Sequence, residues 1–237
     1  MKPIAIFRHS PNEGAGYFAT FLERHSLPWI LFTVDAGVLP PPTSDDFSGL
    51  CFMGGPMSVN DDLPWIAPTL SLIRDADNKG VPVIGHCLGG QLMSKAFGGM
   101  VTKNPVKEIG WGQVEFIRAL AAEWVGDIAA DFPRFDAFHW HGETFSLPPH
   151  ATRILQSECC ENQAFVRGPH LGMQCHVEMT ESMIRLWGKH WADEGVAASA
   201  SVQTPEQMYT ALDARIERMR QVADRLYSHW IRGLKLA

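Results

Sequence analysis

Two stretches of this chain carry residue types that can do covalent chemistry. In the first, the apolar run Val81-Pro82-Val83-Ile84 leads into Gly85-His86-Cys87-Leu88-Gly89-Gly90-Gln91, with a thiol at the centre of a G-x-C-x-G pattern. This is the layout of a nucleophile elbow, a strand turning sharply into a helix, with sulfur in place of a serine hydroxyl. At a helix start, unpaired amides and the positive end of the dipole favour a thiolate at Cys87. The amide of Leu88 is then expected to face the oxygen of an attacked carbonyl, as half of an oxyanion hole. In the second stretch, Leu171-Gly172-Met173-Gln174-Cys175-His176-Val177-Glu178 ends an apolar run with an imidazole two residues before a carboxylate. A thiolate nucleophile needs a base, and the base needs an acid that orients it. Strand alternation would send both side chains to one side. The second oxyanion donor is expected from Met53-Gly54-Gly55-Pro56, where two glycines let backbone approach a ligand closely. Each piece alone has an ordinary reading: a turn with a buried cysteine, a core histidine beside an incidental glutamate, a glycine turn. Together, at the ends of apolar runs, they favour a Cys-His-Glu hydrolytic centre.

Such groups need a frame that gathers strand ends, and the surrounding sequence has that texture. Apolar runs at 4–7, 29–34, 50–53 and 81–84 alternate with helical spacing at 17–25, 65–78 and 88–97. Short, uniformly apolar strands separated by helices indicate a parallel sheet covered on both faces. The loop 9–16 is then expected at the strands' carboxyl ends, beside the site. From about 100 to 176 the strand-like pieces 114–117, 135–140, 152–156, 163–166 and 171–175 follow one another through short loops, in part as an antiparallel extension. Thr180 is expected to cap a helix running to about 190, and Thr204-Pro205-Glu206-Gln207 reads as a capping box with proline in the first turn. The final helix carries Met208, Leu212, Ile216, Met219, Val222, Leu226 and Trp230, an apolar stripe expected to pack back on the body.

Length and composition remove several function classes. The 237 residues suffice for one large domain with an appendage, and 46% hydrophobic against 19% charged residues is too apolar for disorder. With 20 Lys+Arg against 26 Asp+Glu the net charge is −6, which argues against a nucleic-acid module. No apolar run approaches the roughly 18 residues of a membrane span, and the N-terminus turns polar too soon for a signal peptide. A cytoplasmic protein with no membrane or nucleic-acid partner is expected. Five cysteines, at 51, 87, 159, 160 and 175, lack any CxxC spacing and read as reduced thiols.

The order of these motifs resembles that of a known family. The turn Gly54-Gly55-Pro56 is followed by the elbow Gly85–Gln91 with its sequel Ala96-Phe97-Gly98-Gly99. Then come Glu108-Ile109-Gly110-Trp111, Trp140-His141-Gly142-Glu143-Thr144 and His176-x-Glu178. Over roughly residues 4 to 180 the chain is similar to the class I, triad-type glutamine amidotransferases, in particular free-standing proteins like the glutaminase domain of GMP synthetase. The resemblance implies a flavodoxin-like three-layer α/β sandwich with a mostly parallel central sheet, an antiparallel extension and a C-terminal helical tail. It implies an amidotransferase-like domain over 1–180 and a helical extension over 181–237. It also implies hydrolysis of the glutamine side-chain amide through a γ-glutamyl thioester on Cys87, with His176 as base and Glu178 as its orienter. Gly55 and Leu88 match the oxyanion-hole amides, and Gln91 matches a contact to the glutamine substrate. Three positions depart from the family pattern: His86 stands where Ile or Val is usual, Gly90 replaces a bulky residue, and Val177 replaces a proline.

Other readings stay open on the sequence. The same triad would serve a γ-glutamyl amide or peptide, releasing an amine instead of ammonia. A non-catalytic partner-binding module would keep the elbow as architecture only. His139-Trp140-His141, with Glu143 and His176 as companions, has the donor types of a hydrolytic metal site. The family match requires no metal and no cofactor, and none is expected. The sequence contains no G-x-x-x-x-G-K-[ST] motif and no Ser-Gly-Gly-type pyrophosphatase loop, so released ammonia would go to a synthetase partner on another chain.

Overall fold

The structure is a computed structural model and describes residues 1–131, 133–195 and 197–235. The chain first alternates strand and helix through β1 (Ile4–Arg8), α1 (Gly16–Arg24), β2 (Trp29–Thr33), β3 (Gly49–Phe52), α2 (Ile66–Lys79), β4 (Val83–His86) and α3 (Leu88–Ala96). A β-rich stretch follows: β5 (Val101–Phe116), two short helices α4 (Arg118–Val125) and α5 (Ile128–Asp131), then β6 (Arg134–Phe145), β7 (Thr152–Gln156), β8 (Ala164–Arg167) and β9 (His170–Met173). The chain closes with α6 (Glu181–Lys189), α7 (Pro205–Tyr209) and α8 (Leu212–Trp230).

All nine strands form one sheet in the order β2-β1-β3-β4-β9-β8-β7-β5-β6. The pairs from β2 to β9 are parallel, and the pairs from β9 to β6 are antiparallel. Along β1, Ile4 and Ile6 enter one apolar cluster and Ala5 and Phe7 the other, as a strand buried on both faces requires. The first cluster takes Phe18, Phe21 and Leu22 of α1 together with Met219, Leu226 and Trp230 of α8. The second takes Leu72 and Ile73 of α2 and Leu92 of α3. The layers are thus helix, sheet, helix. Tyr227 and Trp230 of α8 are fully buried and meet Phe18 edge-on at 4.9 and 5.7 Å, contacts each worth about 0.5–1.5 kcal/mol beyond their buried area.

The parallel half and the antiparallel extension agree with the sequence reading, and so do the helix ends. The Thr180 side chain accepts a hydrogen bond from the Met183 amide at 3.3 Å, and Thr204 and Gln207 form the expected capping box. Three differences follow, two of them with a clear local cause. β5 begins at Val101 rather than at 114 and pairs along most of β6, with a register shift between Lys103 and Glu108; Pro105 and the flanking polar residues hide a strand there. The helices α4 and α5 stand where no helix was expected. The stripe from Met208 to Trp230 spans two helices, because Ala211 adopts a left-handed φ of +51° and breaks the run. Among the described residues, no helix is long and apolar enough to cross a membrane.

Candidate active site

Three strand ends meet where β3, β4 and β9 lie side by side. β4 stops at His86 and α3 starts at Leu88, leaving Cys87 between them with φ +49° and ψ −106°. A non-glycine residue held there stores on the order of 1–3 kcal/mol, strain that surrounding packing must hold in place. Glycines allow that packing. A Cβ on Gly85 would lie 2.4 Å from the carbonyl carbon of Gly89, and one on Gly89 would lie 2.0 Å from the Phe52 oxygen. A Cβ on Gly90 would lie 2.4 Å from the Met173 oxygen, so this departure from the family pattern is fixed by the close approach of α3 to β9. The Cys87 side chain borders a pocket of about 340 Å³.

Past β9 the backbone of His176 pairs with β6: its N–H donates to the Phe138 carbonyl at 2.8 Å, and the Phe138 N–H donates back at 3.2 Å. Nδ1 of His176 donates to Oε1 of Glu178 at 2.6 Å, and both residues are 1% exposed. A carboxylate only accepts, so this bond fixes the tautomer and leaves Nε2 free to exchange a proton. Burial alone would lower the basicity of His176, but the Glu178 carboxylate and the Cys87 sulfur outweigh it and hold the imidazole well above its usual pKa. Burial likewise opposes charge on Glu178, yet His176 and then His86 pull its pKa down to about 2. A charged imidazole–carboxylate pair is the state this surrounding favours. The remaining expected residues lie at the same place. Gly55, after β3, packs so closely on Leu88 that a Cβ would come within 2.7 Å of its Cδ2. Leu88 supplies the first amide of α3, unpaired within the helix. Gln91 borders the pocket, donating to Oε1 of Gln174 at 3.1 Å, while Gln174 Nε2 donates to the Cys87 sulfur at 3.5 Å.

Several neighbours of the site were not singled out from sequence. Glu13, in the loop after β1, lays its carboxyl against Gly54: a Cβ there would be 2.1 Å from Oε2 of Glu13 and 3.2 Å from Cε1 of His176. The first glycine of Gly54-Gly55-Pro56 therefore makes room for an acid. Desolvation raises the Glu13 pKa to about 7, against the pull of His176. Trp187 of α6 stands edge-on to His176 at 5.1 Å and to Trp140 at 5.6 Å, and both indoles line the pocket. His86 contacts Tyr227 of α8, Nε2 to hydroxyl, at 3.0 Å. Only the position of loop 9–16 pointed toward Glu13; a tyrosine one residue after a stripe leucine gives no signal of its own.

The companions that the alternative metal reading offered, Glu143 and His176, do not join His139 and His141 in one group. Glu143 accepts instead from the Ser58 hydroxyl at 3.1 Å. His139 and His141 lie with Glu108 of β5, whose Oε2 is 3.0 Å from Nε2 of His141.

Known proteins share this fold. The family model for glutamine amidotransferase class-I matches residues 31–186. The chain belongs to the class-I glutamine amidotransferase family. The crystal structure of a glutamine amido transferase from Methylobacillus flagellatus superimposes with a TM-score of 0.94 at 44% identity, covering 99% of this chain and 96% of that one. GMP synthase [glutamine-hydrolyzing] of Pasteurella multocida is 26% identical over 178 residues, 68% of this chain and 33% of the synthase, so the likeness takes in about a third of that enzyme. Gamma-glutamyl peptidase 3 of Arabidopsis thaliana is 25% identical over 178 residues, 71% of each chain. The relatives of this chain thus carry names for glutamine hydrolysis and for a γ-glutamyl peptidase.

Proposed function

We propose that the chain hydrolyses the side-chain amide of glutamine through a γ-glutamyl thioester on Cys87, with residues 1–180 as the catalytic unit and 181–237 as a helical extension. The observation that carries the reading is the left-handed Cys87 at the elbow, one strand away from the His176–Glu178 pair at 2.6 Å. The Cys87 thiolate attacks the carboxamide carbon, and negative charge develops on oxygen between the amides of Gly55 and Leu88. His176, protonated and oriented by Glu178, gives a proton to the leaving ammonia. The neutral imidazole then takes a proton from water, which cleaves the thioester, releases glutamate and restores the thiolate. Gln91 helps hold the substrate. The ammonia passes to an acceptor enzyme, a synthetase on another chain, in a cytoplasmic setting; no metal or cofactor enters these steps.

A second reading keeps the triad and changes the leaving group. Trp140, Trp187 and Glu13 line the pocket beside His176, the side from which a leaving amine departs, and a peptidase is among the relatives. Those side chains give an organic amine or peptide something to contact, which ammonia does not need. Offering glutamine and γ-glutamyl amides to the protein, with Cys87→Ala as control, separates the readings by whether ammonia or amine is released. If neither substrate is turned over and no acyl group appears on Cys87, both hydrolase readings fail and a partner-binding module takes their place.

A further inference from the structure

A second cluster of reactive side chains lies outside the pocket just described. His139 and His141 alternate onto one face of β6, and Glu108 reaches them from the paired strand β5. All three are buried, and one ligand atom from each lies within 4.8 Å of the others. Nδ1 of His141 contacts the Glu143 carbonyl at 3.0 Å. A carbonyl only accepts, so Nδ1 carries a proton, and Nε2 faces Oε2 of Glu108 at 3.0 Å. Two electron-rich atoms at that distance need a cation between them. A proton would serve for this pair but does nothing for His139, which is 1% exposed with neither ring nitrogen in a well-aligned hydrogen bond among the described residues, although the Gly112 backbone lies close to the ring. Leaving a buried polar group unpaired is unfavourable. Gly112 keeps the space open: a Cβ there would come within 3.0 Å of Nε2 of His139 and 3.8 Å of Oε1 of Glu108.

We propose that Glu108, His139 and His141 form a zinc(II) site that clamps β5 to β6. Two imidazoles and a carboxylate are the three-ligand set that zinc accepts with a fourth position open. Outer contacts of the usual kind are in place: the Glu143 carbonyl orients His141, and Nε2 of Gln163 donates to Oε2 of Glu108 at 3.0 Å. A cavity of about 570 Å³ bordered by Glu108, Gly112 and His139 gives access from solvent. The clamp would sit on the strand that holds His176, since Phe138 is both the neighbour of His139 and the backbone partner of His176. The Glu143 carbonyl that orients His141 also accepts from Gln91 at 3.4 Å, linking the cluster to the pocket wall.

The test uses the full chain carrying Cys87→Ala, so that the active-site thiol cannot take the metal. After chelation and dialysis, zinc(II) is titrated calorimetrically, and cobalt(II) is followed by absorption and by paramagnetically shifted imidazole proton resonances. The expected result is one equivalent per chain, a raised melting temperature, two shifted imidazoles and no thiolate charge-transfer band. His139→Gln and Glu108→Gln should each weaken binding at least about tenfold, whereas His170→Gln, at a histidine paired with Asp77, should not. No saturable uptake, a thiolate band, or affinity unchanged in His139→Gln would overturn the site. The cobalt spectra need no ligand variant and decide the matter even if one fails to fold.

Discussion

The Tyr227 hydroxyl lies 3.0 Å from Nε2 of His86, and the same nitrogen lies 3.9 Å from Oε2 of Glu178. Oε2 has no hydrogen-bond partner among the described residues, so His86, backed by the Tyr227 hydroxyl, stands on the free side of the carboxylate bonded to His176. Burial lowers the pKa of His86 and raises that of Tyr227, leaving both neutral. The C-terminal helix thus reaches the centre of the site through a phenol that lies beyond the matched segment 31–186.

Tyr227→Phe keeps the ring and removes the hydroxyl. Losing one hydrogen bond of about 0.5–1.5 kcal/mol should lower kcat by roughly threefold to tenfold, with KM little changed and the melting temperature within a few degrees. Steady-state kinetics on the preferred substrate check this, and an unchanged kcat would reduce the contact to packing.

Glu178→Gln removes the charge that holds the His176 tautomer. By the usual scale of acid–base contributions, kcat should fall about 10²- to 10⁴-fold. Alkylation of Cys87 should slow as well, because the imidazolium loses its partner.

The Glu13 carboxyl faces the pocket with a pKa of about 7. As pH falls through 7 it takes up a proton, and a negative charge beside the leaving-group side is lost. For a substrate whose leaving amine carries a second positive charge, kcat/KM should fall below pH 7 in the wild type. Glu13→Gln should flatten that limb. Glutamine, without such a group, should show little difference between the two proteins.

Stability should rise with pH between about 4 and 6.5. His9, His139 and His170 are held neutral by burial, each with its pKa lowered to about 4, whereas unfolded histidines bind protons near 6.5. In that window the unfolded chain holds more protons, so acid favours it. Urea midpoints measured across this range with metals chelated should climb; a flat profile would mean that these histidines protonate inside the fold.

Gly90→Ala should be costly and Gly14→Ala nearly silent. The added methyl meets the Met173 oxygen at 2.4 Å in the first case and nothing within 4 Å in the second. Overpacking of this kind typically costs about 1–3 kcal/mol, readable as a shift in the denaturation midpoint.

Cys87, His176 and Glu178 were legible in the sequence as a candidate group because each lies within a few residues of a strand end, and local spacing decides their geometry. The parallel half of the sheet was equally legible, since each strand is a short run buried on both faces. Gly90 departs from the family pattern for a reason the sequence does not carry, the close approach of the Met173 backbone of β9. The pairing of His86 with Tyr227, 141 residues apart, depends on where α8 crosses the sheet, and no local pattern carries that. Glu13 owes its raised pKa to burial against Gly54, again a tertiary effect. For a related reason no local pattern names the third member of the His139–His141 group: β6 alternation puts the two histidines together, but the β5 register decides that Glu108, not Glu143 or His176, completes it.

The most direct measurement is an acid quench of the protein during turnover of glutamine or a γ-glutamyl amide, followed by mass spectrometry of the Cys87 peptide. The expected result is a glutamyl group on Cys87 that forms with substrate and decays with product, with neither adduct nor ammonia or amine release in Cys87→Ala. Undiminished release from Cys87→Ala, or turnover with no acyl group ever found on Cys87, would contradict a thioester mechanism at this site.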